Sequence, residues 1–227
     1  MQTLEPRKTL VEQTYDALVD AICIGSLAPG ERLTEDALAA RLNVSRQPVN
    51  AALAMLRANH LVEATGRRGV VVSRIDPTLY RNIYDFRSVI EPLAVELAGR
   101  QTLTLDDHAE GQRIVADGWK AKRANDTLGM VRADVEFHSF IYRISGNSVI
   151  ENTMRVYWQH IRRAMVEILR GEGYPDTVWS QHEAIYATLA EGRIDDAAAI
   201  MRQHIVGGFS VIEAQGLGQS RDKQGPG

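Results

Sequence analysis

The chain of 227 residues can hold two modest cores, and its apolar (44%) and charged (24%) contents match ordinary globular proteins, which excludes a disordered, fibrous or membrane-embedded class. The net charge of −3 would discourage a polyanionic partner only if charge were evenly spread, and it is not. From Arg41 to Arg74 six arginines stand against one acid, Glu63. The single cysteine, Cys23, lies in an apolar helical run and reads as a core residue, so neither an internal disulfide nor a thiolate metal cluster is expected. No run of about 18 uncharged apolar residues occurs, and MQTLEPRKTL lacks the apolar stretch of a signal peptide; a cytoplasmic protein with no membrane partner is expected.

Apolar residues Leu10, Val11, Tyr15, Leu18, Val19 and Ile22 recur at spacings of three and four, which predicts an amphipathic helix to Ile24, ended by Gly25. After a Gly/Pro turn through Gly30, Thr34 suits the N-cap of a short helix, Glu35 to Leu42, whose first-turn acids match the positive end of the helix dipole. Asn43-Val44-Ser45 is a tight connection. Ser45 then caps a third helix that turns Val49, Leu53 and Leu56 inward as far as Asn59, the spacing of a helix-turn-helix. The β-rich pieces Leu61–Ala64 and Gly69–Ser73 flank Thr65-Gly-Arg-Arg68 and predict a two-stranded hairpin, a wing.

Asp76-Pro77 starts a new helix and marks a domain boundary. Beyond it six helical segments are expected: Pro77 to Gly99, Leu105 to Arg123, Thr127 to Ser145, Ser148 to Arg170, Thr177 to Glu191 and Asp195 to about Ala214. Thr104 with Asp107 forms a capping-box pattern, and Gly146-Asn147, Gly171 to Pro175 and Gly192 punctuate the rest. The expected architecture is mainly α. A winged helix-turn-helix over 1–75 precedes an all-α antiparallel bundle of six or seven helices over 76–214, and a Gly- and Gln-rich tail over 215–227 reads as disordered.

In a helix-turn-helix the N-terminal residues of the second motif helix reach base edges in the major groove, which puts Ser45, Arg46, Gln47 and Asn50 in reading positions. Arg can bond guanine O6 and N7 bidentately, and Gln and Asn can do the same with adenine N6 and N7. Arg67 and Arg68, at the wing tip, suit phosphates or the minor groove. The stretch from Leu33 to Val49, with Val44-Ser-Arg-Gln-Pro-Val49 at its core, then Ala52-Leu53, Leu56, Leu61-Val62 and Gly66-Arg-Arg-Gly-Val70, resembles the DNA-binding domain of the GntR superfamily of transcription regulators. Asn50 departs from the Arg usual there, and Ala54 replaces an often basic residue, so the family's palindromic operators are expected only in outline. With the resemblance, the candidate DNA contacts are Thr34, Ser45, Arg46, Gln47, Asn50, Arg67, Arg68 and Gly69.

Asp134 and His138 stand four apart on one helix and so share a face; His182 and His204 lie on two later helices, so three helices of a bundle can bring the four to one centre. The same pair is also common as plain surface or core residues. Phe86 to Ala94, Asp134 to His138, Ser145-Gly-Asn147, His182 with Ile185 and Leu189, and Met201-Arg-Gln-His204 resemble the FCD effector domain that follows many GntR-type DNA-binding domains. The resemblance implies a divalent transition metal (zinc, nickel, iron or manganese) held by Asp134, His138, His182 and His204. It also implies a small carboxylate effector met by Arg87, although an intra-domain salt bridge to Glu91 at i+4 explains Arg87 equally well. Arg162, with His160 and Arg163 beside it, is a further candidate for the effector site; His160 matches no position of the resemblance and reads as a surface residue. Trp119, Trp158 and Trp179 read as packing.

Such a metal could also activate water in an enzyme or be purely structural. No second catalytic group accompanies the ligands, however, no HExxH or nucleophile elbow occurs, and Glu136 points off their face. The expected function is a sequence-specific DNA-binding regulator and not an enzyme: a homodimeric repressor whose affinity for a palindromic duplex is controlled by a small organic acid at the metal centre.

Overall fold

Thr9 opens the first helix, α1 (Leu10–Cys23), with a reciprocal cap: its hydroxyl accepts from the Glu12 N–H at 3.2 Å, and the Glu12 carboxylate accepts from the Thr9 N–H at 2.7 Å. The structure, a computed structural model, describes residues 8–66, 69–169 and 177–214. The three-and-four spacing buries Tyr15, Leu18, Val19, Ile22 and Cys23 on one face of α1. Helix α2 (Glu35–Leu42) begins at Thr34, whose hydroxyl accepts from the Ala37 N–H. The turn to α3 (Arg46–Ala58) pivots on Asn43 at φ 53, a left-handed conformation that Asn tolerates better than most side chains. Ser45, expected to cap α3 through its side chain, occupies the N-cap in extended conformation but makes no cap hydrogen bond, and its side chain is exposed. Val49, Ala52, Leu53 and Leu56 turn α3 onto α1 and complete the first core.

The wing differs from expectation. Besides β2 (Val62–Ala64) and β3 (Val70–Val72), Arg32–Leu33 forms a strand, β1, and the sheet order is β1-β3-β2, antiparallel throughout. Two residues are too few to show an alternating pattern; β1 exists because Gly30 and Glu31 dock on Val72 by backbone hydrogen bonds of 2.8 and 2.9 Å. Gly69 sits at φ +116, and a Cβ there would lie 2.8 Å from the Leu33 carbonyl oxygen, so β1 itself demands glycine. Arg67 and Arg68, and the tail 215–227, lie outside the described residues.

These elements form one unit, Met1–Ile75; the second is Asp76–Gly227. Its helices among the described residues are α4 (Pro77–Gly99), α5 (Leu105–Arg123), α6 (Thr127–Ile144), α7 (Ser148–Leu169), α8 (Thr177–Ala190) and α9 (Ile194–Ala214). The expected mainly α class, winged helix-turn-helix followed by helical bundle, is what the chain adopts. Asp76 caps α4, and Thr104 and Asp107 make the expected box at α5. In the bundle α4 runs against α9, α8 against α9, α5 against α6, and α6 against α7.

Two local features fix that packing. Pro92, inside α4, has no N–H for the Ser88 carbonyl, and Arg202 of α9 donates to that carbonyl at 2.9 Å instead, turning a helix defect into a bond between helices. On α5, a Cβ at Gly118 would stand 2.1 Å from the Trp179 ring, so glycine lets α8 approach and seats Trp179 in the core.

Candidate metal centre and nucleic-acid interface

On the first unit, Arg46, Gln47 and Asn50 are exposed on the leading turns of α3, and Thr34 is exposed at the start of α2. Arg46 and Asn50 are held by an acid that the sequence pattern does not mark. Glu35 accepts from the Arg46 guanidinium at 3.1 Å and from the Asn50 amide at 2.7 Å, and Asp36 lies 3.2 Å from Arg46 Nε. The Asn50 bond, then the Arg46 bond, holds the Glu35 carboxyl below its ordinary range. Because Asn50 donates one N–H to Glu35, its amide keeps a second N–H and its carbonyl oxygen, the pair an adenine edge requires. Arg46 commits Nε and one N–H of the adjacent nitrogen, leaving its outer fork for a guanine. These side chains line a cleft of about 600 Å³ with Thr34, Arg57 and Gly69.

In the second unit the i, i+4 spacing on α6 projects Asp134 and His138 from one face, α8 brings His182 and α9 brings His204. All four are buried, and each offers one ligand atom such that the set lies within 4.8 Å. His204 Nε2 is 3.1 Å from His182 Nε2 and 3.3 Å from His138 Nε2, and Asp134 Oδ1 is 3.5 Å from His182 Nε2. Two nitrogens about 2.1 Å from a common ion stand about 3.0 Å apart at a right angle and about 3.4 Å apart at the tetrahedral angle, so the imidazole spacings fit one cation.

Proton counting agrees. The Gln181 side-chain oxygen, an acceptor only, lies 3.0 Å from His204 Nδ1, which therefore carries the proton and leaves a lone pair on Nε2. One lone pair cannot serve two facing Nε2 atoms with good geometry, whereas a cation satisfies all three rings. Burial, then neighbouring His204 and His138, pushes His182 well below the ordinary histidine range; burial, then His138 and Arg87, does the same to His204. Both rings are therefore neutral near pH 7, the form a metal binds. The walls are aromatic: Phe137 and Trp179 lie 4.3 and 4.7 Å from the His182 ring, and Trp158 lies 5.2 Å from that of His138.

Arg87 is 3% exposed and bonds Glu91 Oε1 through Nε at 2.5 Å, which is the intra-domain salt bridge expected as one of its two roles. Its guanidinium lies between the Tyr84 and Trp158 rings, 4.8 and 4.9 Å from their centroids. Glu91 is fully buried; burial opposes its ionisation, yet Arg87 foremost, then His138, holds the carboxyl far below its ordinary range. Burial raises the Tyr84 hydroxyl to about 12 and carries Tyr142 well above its usual range. Arg162 is half-buried on α7, and His160, expected at the surface, is buried. Trp158, expected to serve packing, also walls the four-ligand site. Glu136 is exposed beside Arg113, off the ligand face as expected. Sequence reasoning misses Glu35, Glu91 and Gln181 as site residues; each acts across an inter-helix contact that leaves no periodic signal along the chain.

A winged helix-turn-helix joined to a helical bundle with a buried Asp/His3 cluster defines the class of two-domain DNA-binding transcription regulators. The model of bacterial regulatory proteins of the gntR family matches residues 10–72, and that of the FCD domain matches residues 82–207. Among curated relatives, an HTH-type transcriptional regulator in an unstable DNA locus of Streptomyces ambofaciens is 32% identical over 192 residues, covering 82% of this chain and 78% of the relative. The HTH-type transcriptional repressor RspR of Escherichia coli is 27% identical over 207 residues, with 89% and 88% covered. Among solved structures, a putative GntR regulator from Rhodococcus sp. RHA1 superposes with a TM-score of 0.77 at 25% identity, covering 90% of this chain and 97% of that one. E. coli McbR/YncC, at 20% identity, shares the fold with a TM-score of 0.82 over 92% and 99%. The chain belongs to the GntR family of DNA-binding transcriptional regulators, in the group that carries an FCD domain. The family models and the curated relatives are those of transcription regulators and not of enzymes, and no helix among the described residues is long and apolar enough to cross a membrane.

Proposed function

We propose that the protein is a cytoplasmic, homodimeric repressor whose grip on a palindromic operator is released by a small organic acid bound at a metal centre in the FCD domain. The observation that carries this reading is the meeting of three imidazole Nε2 atoms beside the Asp134 carboxylate, with His204 Nε2 standing 3.1 and 3.3 Å from the other two. Asp134, His138, His182 and His204 would hold the ion, and three imidazoles with one carboxylate suit zinc, nickel, iron or manganese. When bound, the ion supplies open coordination positions for an acid's oxygen atoms. Arg87 and Arg162 supply guanidinium groups for its carboxylate, and aromatic walls exclude water from the exchange. On the DNA side, Arg46 reads guanine, and Asn50 and Gln47 read adenine edges. Ser45 stands with them at the base edges, while Thr34, Arg67, Arg68 and Gly69 hold the register on the phosphates and the minor groove. Repression is the role of the similar E. coli HTH-type transcriptional repressor RspR. Two-fold operators call for a two-fold protein.

The test is a melting screen of the full-length protein against small mono- and dicarboxylic acids, run once with each of the four metals and once with chelator. At least one acid is expected to raise the melting temperature in metal-loaded protein alone, and the same acid to weaken binding to a selected duplex. If a metal raises the melting temperature but no acid changes DNA binding, the ion is structural and the sensing role fails.

A further inference from the structure

We propose that Glu91 is a positioning residue for the metal centre, fixing the proton of His138 on Nδ1 so that the Nε2 lone pair is presented to the cation. The inference rests on the metal reading above and adds a residue outside the ligand set.

Glu91 is 0% exposed and sits on α4, whereas His138 sits on α6; the two meet at 2.5 Å between Glu91 Oε2 and His138 Nδ1. Neither atom has another hydrogen-bond partner among the described residues. Each is thus buried against the other, with the Tyr142 hydroxyl also beside the Glu91 carboxylate. A carboxylate accepts and does not donate, so the one proton of a neutral His138 is drawn to Nδ1, and Nε2 is left as a lone pair. The opposite tautomer would set a lone pair against the carboxylate and a proton in the mouth of the ligand set. The other carboxylate oxygen, Oε1, is held by Arg87 Nε at 2.5 Å, and the guanidinium is fixed between Tyr84 and Trp158. Arg87 therefore anchors the carboxylate that orients His138. His204 has the same arrangement in neutral form, with the Gln181 amide oxygen 3.0 Å from its Nδ1. A carboxylate or carbonyl behind a ligating imidazole fixes ring and tautomer together, and its removal typically weakens metal affinity ten- to a hundredfold.

The experiment uses full-length wild type and Glu91→Gln, each stripped with chelator and then titrated with nickel alone or zinc alone against a chromogenic chelator. Ring-nitrogen NMR of the stripped proteins reads the His138 tautomer directly. The expected result is a His138 Nδ1–H form in wild type, a shift towards Nε2–H in Glu91→Gln, and a ten- to hundredfold weaker hold on both ions, with duplex binding by the metal-free variant retained. Equal metal affinity in the two proteins overturns the inference. So does a wild-type His138 protonated on Nε2, a result that does not need the variant to fold. Wild type that takes up none of the ions would sink the metal reading instead, while the tautomer still decides what Glu91 does.

Discussion

His204→Ala removes the one ligand whose Nε2 faces both other imidazoles, at 3.1 and 3.3 Å. At free metal one hundred times its dissociation constant, the ion stabilises the folded state by about 2.7 kcal/mol. For a chain of this size each kcal/mol moves the melting temperature by about 2–4 °C, so wild type is expected to melt about 5–11 °C higher with metal than with chelator. Truncating a buried ring also destabilises the metal-free protein, by about 1–3 kcal/mol, but that loss is common to both conditions and cancels in the difference. Differential scanning calorimetry on the four samples therefore isolates the ligand role: the metal-dependent increment should disappear in His204→Ala. A variant that keeps the full increment would refute the assignment of His204, whatever its absolute stability.

Arg46→Ala is expected to weaken operator binding about ten- to a hundredfold while changing affinity for random duplex little; equal losses on both would remove Arg46 from base reading. Glu35→Gln takes a carboxylate out of the reading cleft and loosens Arg46 and Asn50 together, so anisotropy titrations should show tighter random-duplex binding and about a tenfold smaller specificity ratio. In the stripped protein, His182 and His204 are kept neutral while the unfolded chain protonates near pH 6.5, so the unfolded state binds more protons below that value and stability falls with acidification. Stability is therefore expected to fall from pH 7.5 to 5.5, and a flat urea midpoint across that range would contradict their burial as neutral rings.

Helices are legible in the chain because burial writes a period into it. Leu18, Val19 and Ile22 on α1, and Val49, Leu53 and Leu56 on α3, are the residues the structure buries. Strand β1 is not legible, since its two residues acquire strand character only from their partners on β3. The four-ligand cluster is visible as an i, i+4 pair plus two histidines, but their meeting depends on the packing of α6, α8 and α9, which spacing alone does not give. The supporting residues lie deeper. Glu91 is legible as an i+4 partner of Arg87, yet its contact with His138 spans α4 and α6. His160 looks like a surface residue because a lone histidine on α7 carries no sign of which face is covered.

Regulation by an effector requires coupling between the two units, and its most direct test is a closed thermodynamic cycle on metal-loaded protein. The affinity for a selected operator is measured with and without the acid found by screening, and the affinity for that acid is measured with and without operator. Linkage requires the same factor in both directions, about 5- to 150-fold for a typical allosteric pair, and that factor is expected to vanish in chelated protein and in His138→Ala. Operator affinity unchanged by acid in the loaded wild type, with the acid demonstrably bound, would contradict the proposed regulation.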